Sequence, residues 1–239
     1  MNILVLQHAD IEHPGIFRKF LKEDGHSWYS CHLNNGDTIP SINNYDALWV
    51  LGGPMDTWEE EKYPWLIDEK KFIKEAVQEK GIPFLGLCLG HQLLSEALGS
   101  KCGPAKKSEI GVMNVQLTED GKAGILFDGF PDEFKCLQWH GAEVQSLPLG
   151  SKCLARSRDC QIQAMSWGTR AYSMQFHVEV EGSTVEDWNS IETYSKALKL
   201  AMGEKGPEIL KQACENEMEK FNQLAERLYI NWLQTAAHT

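Results

Sequence analysis

No run of about 18 apolar residues occurs in this 239-residue chain, so no transmembrane helix is expected. Basic residues are in deficit: 23 Lys and Arg face 34 Asp and Glu, for a formal net charge of −11. Nucleic acids and anionic membrane surfaces both call for a basic footprint, so neither is an expected partner. A basic leader with a cleavage site is also missing. Asn2-Ile3-Leu4-Val5-Leu6 reads directly as a strand, and no signal peptide is expected. The seven cysteines are odd in number, form no Cys-x-x-Cys pair and share no zinc-type spacing with histidine. That usage suits a reducing compartment, so a cytoplasmic location is expected, with no metal and no cofactor. Internal repeats, low-complexity linkers and a Walker-type G-x-x-x-x-G-K-[ST] loop are absent as well.

What is present is an alternation of strand and helix patterns. Residues 3–7, 28–33, 47–51 and 82–85 are apolar strand candidates, and helices are expected from Gly15 and over Trp65 to Gln78. Strands separated by helices of this length imply βαβ units and a mainly parallel sheet, with the active site beyond the strands' carboxyl ends. The middle of the chain breaks into short strand candidates at 112–117, 133–138, 153–155, 162–165 and 171–175, the last two joined by a hairpin turn at 166–170. From about Val185 the pattern is helical to the end, interrupted at Gly203–Pro207. The expected division is an α/β domain over 1–184 and a helical extension over 185–239. The apolar face of the final helix suits packing on that domain, a homo-oligomer contact or a partner surface.

The chemistry concentrates at Gly86-Leu87-Cys88-Leu89-Gly90, where a buried strand turns directly into a helix. Flanking glycines permit a tight turn that lifts the cysteine out of the sheet, the geometry of a nucleophile elbow. The new helix aims its N–H groups at the sulfur, a setting that favours negative charge there. The other six cysteines have no such setting and read as small core side chains. A cysteine nucleophile needs an imidazole and the imidazole an acceptor. His13, His26 and His32 fall in or beside loops, and His238 in a frayed tail. His8 ends the first strand within reach of the crevice mouth, and His91 approaches the sulfur awkwardly from the helix beyond the elbow. Of the remaining two, His140 and His177, the second follows a strand and has Glu179 two residues on, pointing to the same side in extended backbone.

Three motifs in this order, Gly-Gly-Pro at 52–54, Gly-Leu-Cys-Leu-Gly-His-Gln at 86–92 and Gln-Phe-His-Val-Glu at 175–179, resemble class I (triad-type) glutamine amidotransferase domains over roughly residues 1–180. The resemblance implies a flavodoxin-like α/β fold and a Cys88–His177–Glu179 triad. It also implies an oxyanion hole from the Gly53 and Leu89 amides. Gln92 would sit at the amino-acid end of a bound glutamyl group, with Met55 on the Gly-Gly-Pro loop nearby. Trp139-His140-Gly141 matches the family loop whose backbone grips that same end. Two departures stand out: Val178 where many members have proline, and Trp139 where many have a smaller polar residue. The expected activity is hydrolysis of the γ-glutamyl amide bond of glutamine or of a γ-glutamyl amine or peptide, through a thioester on Cys88. Standalone relatives of this kind include γ-glutamyl peptidases. Alternatives are a glutaminase subunit that passes ammonia to a separate synthetase, a cysteine peptidase of related sheet fold, and a catalytically silent binding module.

Overall fold

A computed structural model describes residues 1–237; His238 lies outside them. β1 (Asn2–Gln7) leads through α1 (Phe17–Glu23) to β2 (Ser27–His32). β3 (Ala47–Val50) leads through α2 (Trp65–Lys74, continued as a π turn over Glu75–Glu79) to β4 (Phe84–Leu87), and α3 (Leu89–Ala97) follows after one residue. Next come β5 (Cys102–Leu117), the short α4 (Glu119–Ala123), β6 (Glu133–Val144), β7 (Ser151–Arg156), β8 (Ala164–Trp167) and β9 (Ala171–Met174). α5 (Thr184–Asn189), α6 (Glu192–Met202) and α7 (Gly206–Ala237) complete the described residues.

All nine strands form one sheet in the order β2-β1-β3-β4-β9-β8-β7-β5-β6. The five strands from β2 to β9 are parallel, and the rest of the sheet is antiparallel. Parallel strands are covered on both faces, so their side chains are apolar in both directions. In β1, Ile3 and Val5 enter one core with α1 and α7, while Leu4 and Leu6 enter the other with α2 and α3. β3 divides in the same way, with Ala47 and Trp49 on the first side and Leu48 and Val50 on the second. Trp232 of α7 stands edge-on to Trp49 and donates its indole N–H to the Phe84 carbonyl, 3.2 Å away, seating α7 under β3 and β4. No helix among the described residues is long and apolar enough to cross a membrane.

The antiparallel part departs from expectation in extent. β5 and β6 run 16 and 12 residues, well beyond the short strands expected at 112–117 and 133–138. Trp139, His140 and Gly141 therefore lie within β6, paired to β5 with Trp139 opposite Ile110 and His140 opposite Glu109, and not in a loop. A register shift between Pro104 and Glu109 hides the first part of β5 in the sequence, because a bulge breaks the alternation by which strands are read. The sheet also curls: the backbone of His177, just past β9, exchanges hydrogen bonds of 2.9 and 3.0 Å with Leu137 of β6. The last strand in the sheet order is thereby brought back to its middle.

The start of α3 lies directly on β3. A Cβ at Gly90 would stand 2.0 Å from the Val50 carbonyl oxygen, whereas one at Gly25 (φ +68°) would meet nothing. Gly90→Ala is expected to cost about 3 kcal/mol through forced displacement of the backbone. Gly25→Ala is expected to cost about 1 kcal/mol through its left-handed conformation alone. Urea unfolding of the two variants checks this, and equal losses would contradict the close approach.

Candidate active site

Between β4 and α3, Cys88 has φ +51° and ψ −103° and is the only non-glycine residue with positive φ among those described. Such a conformation costs about 1–3 kcal/mol and persists only where its surroundings over-determine it. Here the Cys88 N–H is held by the Met174 carbonyl of β9 at 2.8 Å, and the Gly90 N–H by the Leu51 carbonyl at 3.1 Å. The Gln175 side-chain amide donates to Sγ at 3.4 Å.

His177 stands behind the sulfur, with its backbone locked to β6 as described. Its Nδ1 donates to Glu179 Oε1 at 2.5 Å, which leaves Nε2 as the ring atom for Cys88, whose thiol lies within hydrogen-bonding reach. The second carboxylate oxygen accepts the Val178 N–H at 3.0 Å, and the Trp188 ring meets the imidazole edge-on at 4.6 Å. Burial opposes charge on His177, but the Glu179 carboxylate and the hydrogen bonds to Cys88 and Glu179 outweigh it, so its pKa lies well above the ordinary histidine value.

The Gly52-Gly53-Pro54 loop leaves β3 beside the same helix terminus. A Cβ at Gly53 would come within 2.7 Å of both His8 Cβ and Met55 Sδ, so the loop backbone sits where no side chain fits. Among the described residues, neither the Gly53 nor the Leu89 N–H has a hydrogen-bond acceptor. Both residues line an open cleft of about 250 Å³ beside Cys88. Met55, Gln92, Trp139, His140 and Gly141 line it too, so the sequence-predicted residues are brought together, with His177 and Glu179 buried behind the sulfur. Gln92 donates through Nε2 to the Ala142 carbonyl and to Gln175 Oε1.

Sequence reasoning misses several contributors. Gln175 belongs to the motif ending in Glu179, yet nothing in the motif assigns it a role. Thr193, Tyr194 and Ala197 of α6 form one wall of the cleft, and the Tyr194 hydroxyl donates to the buried Glu12 carboxylate at 2.5 Å. Burial raises the Glu12 pKa, against the opposing influence of His177 and Tyr194. These partners are 182 residues apart, and no local pattern announces them. His8 does not open onto the cleft. Its Nδ1 donates to the Gly52 carbonyl at 2.8 Å and its Nε2 to Glu69 Oε1 at 2.9 Å, both buried. Burial opposes charge on the ring, and Glu69, with help from the Gly52 carbonyl, raises the His8 pKa over it. His91 is tied to Ser173 Oγ and the Ile162 carbonyl, with its pKa pulled down to about 3 by burial.

A cysteine on a strained strand-to-helix turn, backed by a histidine–carboxylate pair at the strand ends of a doubly wound sheet, defines an α/β protein of the nucleophile-elbow class. The family profile described as glutamine amidotransferase class-I matches residues 25–189. The crystal structure of a glutamine amidotransferase from Thermotoga maritima superposes with a TM-score of 0.86 at 30% identity, covering 100% of this chain and 99% of that one. A glutamine amidotransferase-like protein of Salmonella typhimurium, YfeJ, is 28% identical over 233 residues, 96% of this chain and 95% of its own. The glutamine-hydrolyzing GMP synthase subunit of Thermococcus kodakarensis is 37% identical over 109 residues, which span 45% of this chain and 56% of that one. The chain belongs to the class-I glutamine amidotransferase family.

The His8–Glu69 pair predicts a pH-dependent stability. A histidine whose folded pKa is raised contributes stability in full below about pH 6.5, lost as pH rises through the folded value. Glu69→Gln is therefore expected to cost about 3 kcal/mol at pH 6 and progressively less toward pH 9. Urea midpoints across this range measure the difference, and a deficit that grew with pH would contradict the charged pair.

Proposed function

We propose that the protein hydrolyses γ-glutamyl amides by covalent catalysis on Cys88. The observation that carries this reading is the sulfur on its elbow, within reach of an imidazole whose other nitrogen is bound to a buried carboxylate at 2.5 Å. In the proposed mechanism Cys88 passes its thiol proton to His177 Nε2 as the sulfur attacks the γ-carbonyl carbon. The resulting oxyanion is taken up by the free Gly53 and Leu89 amides, each such donor contributing about 3 kcal/mol. His177 delivers a proton to the departing nitrogen, the C–N bond breaks, and a γ-glutamyl thioester remains. Water, deprotonated by His177, then releases glutamate and restores the thiol. Glu179 keeps the ring oriented and offsets its charge. With Nε2 of Gln92 already committed, its Oε1 is the atom that would accept from the substrate's α-ammonium group.

The cleft favours a class of leaving group. Among the described residues, Asp56 is the only acidic residue lining it, and no Lys or Arg does so. Trp58, Ile110, Tyr194 and Ala197 supply apolar and aromatic surface instead. A neutral or cationic amine fits such walls, and an acidic one does not. Partial similarity to a glutamine-hydrolyzing GMP synthase subunit favours a second reading, in which glutamine is the substrate and ammonia passes to a separate synthetase.

Glutamate release from glutamine and from a panel of γ-glutamyl amines tests these readings. Amines with neutral or basic leaving groups are expected to exceed γ-glutamyl-glutamate by at least about tenfold in kcat/KM. Cys88→Ala is expected to abolish turnover, and Glu179→Gln to lower kcat about 10³-fold or more with KM little changed. No turnover of any substrate, together with a Cys88 inert to a glutamine-like chloroketone, would defeat the proposal. Turnover of glutamine alone, and only with an added synthetase, would favour the second reading.

A further inference from the structure

Beside the cleft, three segments distant in sequence bring together a carboxylate, an imidazole and a thiol. Glu109 of β5, His140 of β6 and Cys160 of the β7–β8 connection place one ligand-type atom each within 4.8 Å of one another. All three residues are at least nine-tenths buried, at 3%, 5% and 1% exposure. Each is held by hydrogen bonds to residues outside the three, and Gln163 links two of these supports by donating to both Glu109 and Ser157 Oγ. The Nδ1 of His140 donates to the Ala142 carbonyl at 2.9 Å, which orients the ring and aims Nε2 into the cluster. Glu109 Oε2 accepts from the Gln163 amide at 2.7 Å, and the Cys160 N–H is capped by Ser157 Oγ at 2.9 Å.

One atom in this cluster has no partner. His140 Nε2 makes no hydrogen bond although Glu109 Oε2 lies only 3.2 Å away. Nε2 is thus a buried polar atom aimed into the cluster without a hydrogen bond, a position that a bound cation would satisfy. We propose that Glu109, His140 and Cys160 form a binding site for a divalent transition-metal ion, zinc by the chemistry of its donors. Mixed N, O and S donors are those of zinc, and a tetrahedral site separates its ligand atoms by about 3.3–3.8 Å. The Cys160 thiol proton leaves as the Zn–S bond forms, with the neighbouring Glu143 carboxylate within hydrogen-bonding reach to take it. One thiolate and one carboxylate then balance the two positive charges of the ion, so the buried site is electroneutral. His140 lines the cleft, which gives the ion its way in and places it under the wall that the proposed substrate would touch.

Cys88 and His177 form a second thiol–imidazole pair, so the test uses the full chain carrying Cys88→Ala. After treatment with a chelator, titration with Zn²⁺ is expected to show one equivalent bound. Co²⁺ is expected to give visible d–d absorption with a thiolate-to-cobalt charge-transfer band. Adding Cys160→Ser should remove that band, and both it and Glu109→Gln should weaken Zn²⁺ binding about 100-fold or more, beyond the usual cost of losing an outer partner. Zn²⁺ should raise the melting temperature of the Cys88→Ala protein and not that of the double variants. Should Cys160→Ser fail to fold, the Glu109→Gln and His140→Gln variants carry the same comparison. Absence of stoichiometric Zn²⁺ or Co²⁺ binding, or undiminished binding in these variants, would overturn the proposal.

Discussion

The N-terminus of α3 rests on the backbone of β3, with Gly90 against the Val50 carbonyl and its N–H bonded to Leu51. Much else follows from this contact. It holds α3 so close to the strand ends that the link from β4 has one residue in which to turn, and that residue, Cys88, is driven to positive φ. It also sets the Leu89 amide beside the loop leaving β3, so that two backbone N–H groups from different crossovers face one cleft. The strain at Cys88 is offset elsewhere, by apolar burial on both faces of β3 and β4 and by α7 beneath them.

Around this contact the site is held by pairs whose members come from opposite parts of the chain. His8 and Glu69 fix the Gly52 carbonyl from below, while Leu137 and His177 join β6 to the exit of β9. Tyr194 and Glu12 connect α6 to the loop after β1. Polar side chains buried this deeply are stable only when paired, so each such pair also specifies a single arrangement of the elements it joins. The helices after residue 184 are part of this system: α6 supplies a wall of the cleft and α7 shares a core with β1.

Much of the fold and the central residues of the site are legible in the chain because their signals are local. β1, β3 and β4 are short apolar runs buried on both faces, and β2 at the sheet edge is the more exposed fourth. The elbow is written in five consecutive residues, and Glu179 lies two positions from His177, the period of extended backbone. Gln92, four residues beyond Cys88, is a candidate through the family resemblance of the elbow motif. Legibility fails where the pattern is interrupted. Lys106-Lys107-Ser108 sit at the register shift in β5, and polar residues without alternation do not read as a strand. His140-Gly141 then reads as a loop because its strand partner is hidden.

By itself the sequence determined the class of fold, the cysteine at the elbow and the histidine and glutamate expected to serve it. The fold class rests on strand–helix alternation along the first hundred residues, and the elbow and the His-x-Glu pair on short local motifs. Only the tertiary structure decided what the cleft is made of, how the Gly52-Gly53-Pro54 loop is anchored, and which buried side chains meet beside it. His8 reads as a residue at a crevice mouth, yet it is a buried brace beneath the loop. Glu109 and His140 meet because β5 and β6 pair in that register, and Cys160 joins them from the β7–β8 connection, a convergence that no local pattern announces. The physical reason is the same throughout: such contacts depend on register, curl and helix packing, which join residues 30 to 180 positions apart and leave no periodicity in the chain.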